Sequence, residues 1–304
     1  RGEGVYDKVK HAMKLLKDHK LPFGISTCYT SANYQDITSE EFFDMMIEDG
    51  ALFAWFFHYM PVGNDAVPEL MPNPDQRETV YRRIREYRKT KSIFTMDFQN
   101  DAEFVHGCIA GGRYYLHINA AGDVDPCVFI HYSNCNIHEH TLLEALKSPL
   151  FMAYHRAQPF NDNMFQPCPM LENSGRITEL VNASGAKSTD PQSPETPEHL
   201  CGKTKAYAEA WAPRAEKLWK ERQEEIAAKK RDIADKYSFL YAVPKELCTL
   251  LLTQYGKKST KKMLAAFQEP KPVCIRVHTK NASSEEVRKE LEEAGIEVNE
   301  LPHL

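Results

Sequence analysis

Ala51-Leu52-Phe53-Ala54-Trp55-Phe56-Phe57-His58-Tyr59 decides the fold class. The stretch is apolar and strand-sized, as a strand covered on both faces of a parallel sheet should be. Upstream, Val5, Val9, Ala12, Met13 and Leu16 recur at helical spacing, and Pro22 to Tyr29 reads as a strand. Thr38 and Glu41 form a capping box ahead of Phe42, Phe43, Met46 and Ile47, with Gly50 as the stop. Downstream, Pro74 opens a very basic helix through Val80, Ile84 and Tyr87, and Ser92 to Phe98 is the next strand. Helix and strand alternating at this spacing imply βαβ units and an α/β fold. Three strands are too few for a closed barrel, so this region reads as part of one.

The pattern changes after Gly107. Arg113 to Asn119 and Val124 to His131 read as strands around the turn Ala120-Ala121-Gly122-Asp123, and Thr141 with Glu144 caps a helix. Residues 158–200, rich in Pro, Asn and Ser, read as loop and linker, and Lys203 to Asp235 as a long, charged, solvated connector helix. In residues 237–304, Pro244 opens a helix with Leu247, Leu250 and Leu251 that Gly256 closes, and a second helix runs from about Ser259 to Phe267. Pro272 to Val277 is a strand, Ser283 and Glu286 cap a helix that Gly295 ends, and Ile296 to Leu301 is a last strand. Residues 236–304 hold 11 Lys and Arg against 9 acidic residues, a small positive balance in a chain of net charge -5. That overall charge argues against a wholesale nucleic-acid binder.

At 304 residues the length suggests two domains at roughly 150 residues each. With 42% hydrophobic and 27% charged residues the chain has material for a core. No apolar run approaches the ~20 residues of a membrane span, and no signal peptide is read, so a cytoplasmic setting is expected.

Eight cysteines (28, 108, 127, 135, 168, 201, 248 and 274) occur without the short secreted frame of a disulfide scaffold, so clustered thiols read as metal ligands. The strongest signal is Cys108, Gly122 and Cys127, a C-x13-G-x4-C pattern across a hairpin, with Cys168 following in Gln166-Pro167-Cys168-Pro169. Soft thiolates gathered in this way suit an iron–sulfur cluster or zinc. Gly122 supplies a turn needing positive φ, and Pro126 stiffens the approach to Cys127. Cys135 is the candidate fourth ligand; otherwise the site is open to substrate or water. The alternative is that these thiols are small buried hydrophobes, as Cys28, Cys201, Cys248 and Cys274 are read to be. His58, His117 and His131 lie in expected strands and either face a substrate or are satisfied core residues.

Residues 1 to about 230 resemble the C-terminal part of a radical S-adenosylmethionine (SAM) enzyme with a SPASM/twitch-type auxiliary-cluster domain. The resemblance rests on Arg1-Gly2-Glu3-Gly4-Val5-Tyr6-Asp7, on Pro22-Phe23-Gly24-Ile25-Ser26 and on Phe57-His58-Tyr59-Met60-Pro61-Val62-Gly63. It rests also on Gly107-Cys108-Ile109-Ala110-Gly111-Gly112-Arg113 and Gly122-Asp123-Val124-Asp125-Pro126-Cys127, with Cys168 matching a third cluster cysteine. It implies a partial (β/α)6 barrel at 1–106, a small β-hairpin/helix auxiliary domain at 107–185, and a linker with a charged helix at 186–236. It implies further an auxiliary [4Fe–4S] cluster on Cys108, Cys127 and Cys168, with Cys135 still the candidate fourth ligand. Ser26 would face the ribose of S-adenosylmethionine, and Met60 and Val62 its adenine. The C-x3-C-x2-C loop of that chemistry is missing and belongs upstream of Arg1, so the chain reads as an N-terminally truncated piece, unable by itself to cleave the cofactor.

Residues 237–304 resemble the N-terminal region of Sun-type rRNA cytosine-C5 methyltransferases, a small α+β domain. The carriers are Phe239-Leu240-Tyr241-Ala242-Val243-Pro244, Gln254-Tyr255-Gly256, Pro272-Val273-Cys274-Ile275-Arg276-Val277-His278-Thr279 and Glu293-Ala294-Gly295-Ile296. The resemblance implies RNA binding through Arg276, Lys257, Lys258, Lys261 and Lys262; the alternative for the lysines, and the one their pattern favours, is a solvated helix face. Three readings follow: a radical-chemistry fragment acting on a small molecule or peptide, an rRNA-binding part of a methyltransferase, and a zinc-stabilised binding module. The two resemblances meet either through a natural fusion or through the joining of two neighbouring genes.

Overall fold

The computed structural model describes residues 2–229, 233–268, 283–293 and 298. The chain divides into two compact units, Arg1–Ala228 and Lys229–Leu304.

The first unit is mixed α/β. It opens with α1 (Val5–Asp18), β1 (Gly24–Tyr29), α2 (Tyr34–Ile37), α3 (Glu40–Glu48), β2 (Phe53–His58), α4 (Pro74–Thr90) and β3 (Phe94–Asp97). The strands form a parallel sheet in the order β1-β2-β3, with Gly24 beside Phe53 and Phe53 beside Phe94. Side chains alternate along each strand. Tyr29, Ala54 and Phe56 are buried and form a core with Phe43 and Met46 of α3 and Val80 and Ile84 of α4. Trp55, Phe57 and Phe98 pack against one another with ring centroids 4.9 to 5.8 Å apart.

The cap of α3 is Ser39, whose hydroxyl accepts from the Phe42 amide, one residue later than the Thr38 expected from sequence. Thr38 closes α2 instead, and its hydroxyl donates to the Tyr34 carbonyl. At α4 the Asn73–Gln76 capping box and Pro74 in the first turn set the helix start.

Next come β4 (His117–Ile118), β5 (Val124–Asp125), β6 (Tyr132–Ser133), α5 (Leu142–Leu146), α6 (Pro149–Ala157), α7 (Arg176–Ser184), β7 (Lys187–Ser188) and α8 (Pro197–Lys229). β4 pairs antiparallel with β5, and β6 with β7. The two long strands expected around Gly122 shrink to two residues each. Pro126, having no amide hydrogen, ends β5, and Gly111 and Gly112 at φ 70° and 79° turn the chain before β4. The segment read as loop and linker contains α7, which buries Ile177, Leu180 and Val181. The charged helix is not a solvated connector. It begins at Pro197 and buries Leu200, Thr204, Tyr207, Trp211, Ala215 and Leu218, spaced three or four apart. Small and polar residues between these positions hide the stripe from a reading of charge alone.

In the second unit, α9 (Ile233–Tyr241), α10 (Lys245–Gln268) and α11 (Ser284–Glu293) are described. Gly256 at φ 68° breaks α10 into two helical halves, as its place between the two expected helices suggests. Tyr237, Cys248, Leu251 and Leu264 form its small core, and Ser283 caps α11 by accepting from Glu286. The expected strand Pro272 to Val277, with Cys274 and Arg276, lies outside the described residues, as do Gly295 and all of the expected strand Ile296 to Leu301 except Val298.

No helix among the described residues is long and apolar enough to cross a membrane.

Candidate metal centre

Three loops bring Cys108, Cys127 and Cys168 into one apolar cluster with Ala110, Ile130, Tyr154 and Phe165. Gly107 at φ 106° leads into Cys108. The loop is then clamped by Arg113, whose guanidinium donates to the carbonyls of His106 at 2.9 Å and Cys108 at 3.1 Å. The Gly111 amide donates to the Pro126 carbonyl at 2.8 Å and so ties the Cys108 loop to the Cys127 loop. Gly122 at φ 89° makes the intervening turn, and a Cβ there would stand 2.8 Å from Asn136 Oδ1. Cys168 sits in a loop held by Asn173, whose side-chain amide donates to the carbonyls of Gln166 and Cys168 at 2.8 and 2.9 Å.

Burial pushes the Cys127 thiol up to about 12, and the neighbouring Cys108 adds to it. Burial raises Cys108 as well. Cys168 rises well above the ordinary thiol value through burial, then through Glu172, Cys108 and Cys127. Three buried sulfurs that oppose one another's ionisation become thiolates only against a compensating cation, which makes the donor set fit a thiophilic metal group. Among the described residues, no three His, Cys, Asp or Glu side chains converge on the point of a single ion.

Behind Cys168 lies a buried polar network. Glu172 Oε2 accepts the Cys168 amide at 2.8 Å, and its Oε1 accepts Arg77 Nη1 at 2.7 Å. Both members of this ion pair are fully buried. Arg77 also donates to Asn100 Oδ1 at 2.9 Å and to the Tyr207 hydroxyl at 3.0 Å, and its guanidinium lies 4.1 Å from the Trp211 ring centroid. His58 is held neutral, well below the usual histidine value, by burial and then by Arg77. Its Nδ1 contacts the Tyr59 carbonyl at 2.6 Å, so Nδ1 carries the proton and Nε2 accepts from the Tyr207 hydroxyl at 3.0 Å.

Cys135 packs in a different cluster, with Val124, Ala145 and Phe151. Cys28 is exposed, and Cys201 and Cys248 are buried. Ser26 is exposed on β1, Met60 is buried, and Val62 packs against the cluster that contains the three thiols. Of the other histidines, His117 Nδ1 meets Asp125 Oδ2 at 3.2 Å and His131 Nε2 meets the Val128 carbonyl at 3.0 Å. Lys257, Lys258, Lys261 and Lys262 are all exposed along the second half of α10. Arg77, Tyr115, Tyr154 and Glu172 are absent from the sequence reading. Only Glu172, four residues after Cys168, stands where spacing gives a hint.

Residues 108–170 match the family model described as SPASM, an iron–sulfur cluster-binding domain. Residues 243–304 match the model described as the RsmF/B-like methyltransferase ferredoxin-like domain. No curated protein matches the chain. Among solved structures, the chain is similar to a histidine-tagged form of anSMEcpe with bound AdoMet, at 15% identity and a TM-score of 0.35, over 71% of this chain and 59% of that one. It is also similar to native anSMEcpe with bound AdoMet and a peptide, at 15% identity and a TM-score of 0.36, over 71% of this chain and 63% of that one. The chain thus spans less than two thirds of either relative. Two partial family matches therefore mark it, to an iron–sulfur cluster-binding domain around the three thiols and to an RsmF/B-like ferredoxin-like domain at the other end.

Proposed function

We propose that the first unit is part of a radical SAM-type enzyme whose auxiliary iron–sulfur cluster is held by Cys108, Cys127 and Cys168. The observation that carries this is the packing of the three cysteines, Cys127 buried and Cys108 and Cys168 partly buried, in one cluster within the segment that matches the SPASM model. A zinc ion would draw its thiolates to about 2.3 Å of one point, whereas a four-iron cluster takes each thiolate on a different iron. Among the described residues no three His, Cys, Asp or Glu side chains are placed to hold a single ion, which favours the second. Cys135 stands apart, which favours a fourth position free of protein thiolate.

A bound cluster supplies one-electron chemistry and an iron able to bind substrate. The chain's own residues hold and shield it: the Gly111–Pro126 contact joins two ligand loops, Glu172 holds the amide of the third, and Tyr154, Phe160 and Phe165 exclude water. The parallel order β1-β2-β3, with helices between the strands, suits half of a (β/α)6 barrel. On that reading Ser26, Met60 and Val62 line the S-adenosylmethionine side, and the substrate is a small molecule or a peptide. Anaerobic reconstitution with iron and sulfide tests the proposal. A brown protein with broad visible absorption, lost in Cys127→Ser, is expected. A colourless protein that holds only zinc overturns it.

A second reading concerns the other unit. The four exposed lysines of α10, within the segment that matches the RsmF/B-like model, suit contacts to rRNA phosphates. Affinity for an rRNA fragment should fall steeply with salt and disappear when residues 237–304 are removed. Unchanged binding after removal counts against it.

A further inference from the structure

Two tyrosines reach the thiols from opposite directions. Tyr115 lies in the Cys108 loop, yet its hydroxyl meets Sγ of Cys127 at 2.6 Å. Tyr154 comes from α6, and its hydroxyl meets Sγ of Cys108 at 3.6 Å. The Gly111–Gly112 turn places both. The Gly112 amide donates to the Tyr115 carbonyl at 3.0 Å, and the Tyr115 amide donates to the Ile109 carbonyl at 3.3 Å. A Cβ on Gly111 would stand 2.3 Å from the Tyr154 ring, so only a glycine lets that ring close over Cys108. Phe160 holds the ring from its side, edge to face at 4.9 Å.

A buried hydroxyl needs a partner, and Tyr154 is only 1% exposed, with sulfur as that partner. A cysteine on iron has no proton left to give. In each contact the phenol must then be the donor.

We propose that Tyr115 and Tyr154 donate to the sulfurs of Cys127 and Cys108 and thereby set the reduction potential of the cluster held there. The inference rests on the cluster reading above. A hydrogen bond to a ligand sulfur withdraws electron density from the iron and stabilises the more negative, reduced cluster, which raises the potential. The third thiol takes an amide instead, from Leu171 at 3.4 Å. Cys108 and Cys127 take backbone amides as well, from Ala110 and Phe129, and the two tyrosine hydroxyls come in addition to these.

The test is a redox titration followed by electron paramagnetic resonance on the reconstituted full chain, its Tyr115→Phe and Tyr154→Phe variants, and the double variant. Each single variant should keep the wild-type iron and sulfide content. Each should disfavour reduction by roughly three- to tenfold, a tenfold change being about 59 mV for one electron, and the double variant should disfavour it further. Tyr132→Phe is the control, because that buried hydroxyl donates to the Glu195 carbonyl rather than to a proposed cluster ligand. Should Tyr154→Phe fail to fold, the half-buried Tyr115 carries the test alone. Loaded variants with an unchanged potential overturn the inference and leave the cluster reading standing. Folded variants that take up no cluster give the rings a structural role and overturn it too. Wild-type chain that takes up no iron overturns both.

Discussion

Asp97, at the end of β3, is 1% exposed, and its Oδ1 has no hydrogen-bond partner. Oδ2 accepts from Asn100 at 2.8 Å. Burial, with the facing carboxylate of Asp101, pushes Asp97 up to about 7, against the pull of Arg77 and Arg88. A carboxyl raised in the folded state favours folding while it stays protonated. Its contribution is therefore whole below its ordinary value of about 3.9 and is lost as pH rises towards 7. Urea unfolding should show the protein more stable at pH 5 than at pH 8, by up to a few kcal/mol from this group alone. Asp97→Asn should remove that part of the difference, and an Asn variant with an unaltered pH profile would exclude the assignment. Arg77 makes the same point about legibility. In sequence it is one of several basic residues on a charged helix; in the fold it is fully buried between Glu172, Tyr207 and Trp211. Nothing in local spacing distinguishes it from the exposed arginines beside it, because its partners lie 95 and 130 residues away along the chain.

At the scale of elements, the turn at Gly111–Gly112 and helix α6 act as one device. Gly111 is at φ 70° and has the Tyr154 ring where a Cβ would go. Gly111→Ala should cost about 1–3 kcal/mol of stability through left-handed strain and overpacking. It should also lower iron uptake, measured as iron per chain after reconstitution. An alanine variant as stable and as well loaded as wild type would show that the turn has slack. Element types were legible wherever periodicity was strong: β1, β2, α3 and α4 follow from the apolar pattern. Boundaries and short strands were less so. Thr38 lost the cap to Ser39 because its hydroxyl was already bonded to Tyr34. Pro126 cut β5 short for want of a donor, and α8 hid a buried stripe under its charges.

For the whole molecule, all three tryptophans, Trp55, Trp211 and Trp219, lie in the first unit, as do Cys108, Cys127 and Cys168. Tryptophan fluorescence therefore follows that unit alone, while far-ultraviolet circular dichroism follows both. A group that binds only the folded first unit stabilises it by mass action. Cluster loading should raise the melting temperature seen by fluorescence and leave a circular-dichroism component from α9–α11 where it was. A loaded chain whose fluorescence melt does not move would count against a cluster seated among these residues.

The chain's own pattern determined the alternating α/β start, the kink at Gly256 and the spacing of Cys108, Gly122 and Cys127, because helical and strand periods, positive φ and ligand spacing are local properties. Tertiary structure alone decided that the spaced trio Cys108, Cys127 and Cys168 shares one cluster while Cys135 packs in another. It also decided that Tyr115, Tyr154, Glu172 and Arg77 surround the meeting point. Those contacts join distant segments, and whether a polar side chain there is solvated or buried depends on what the rest of the chain packs against it.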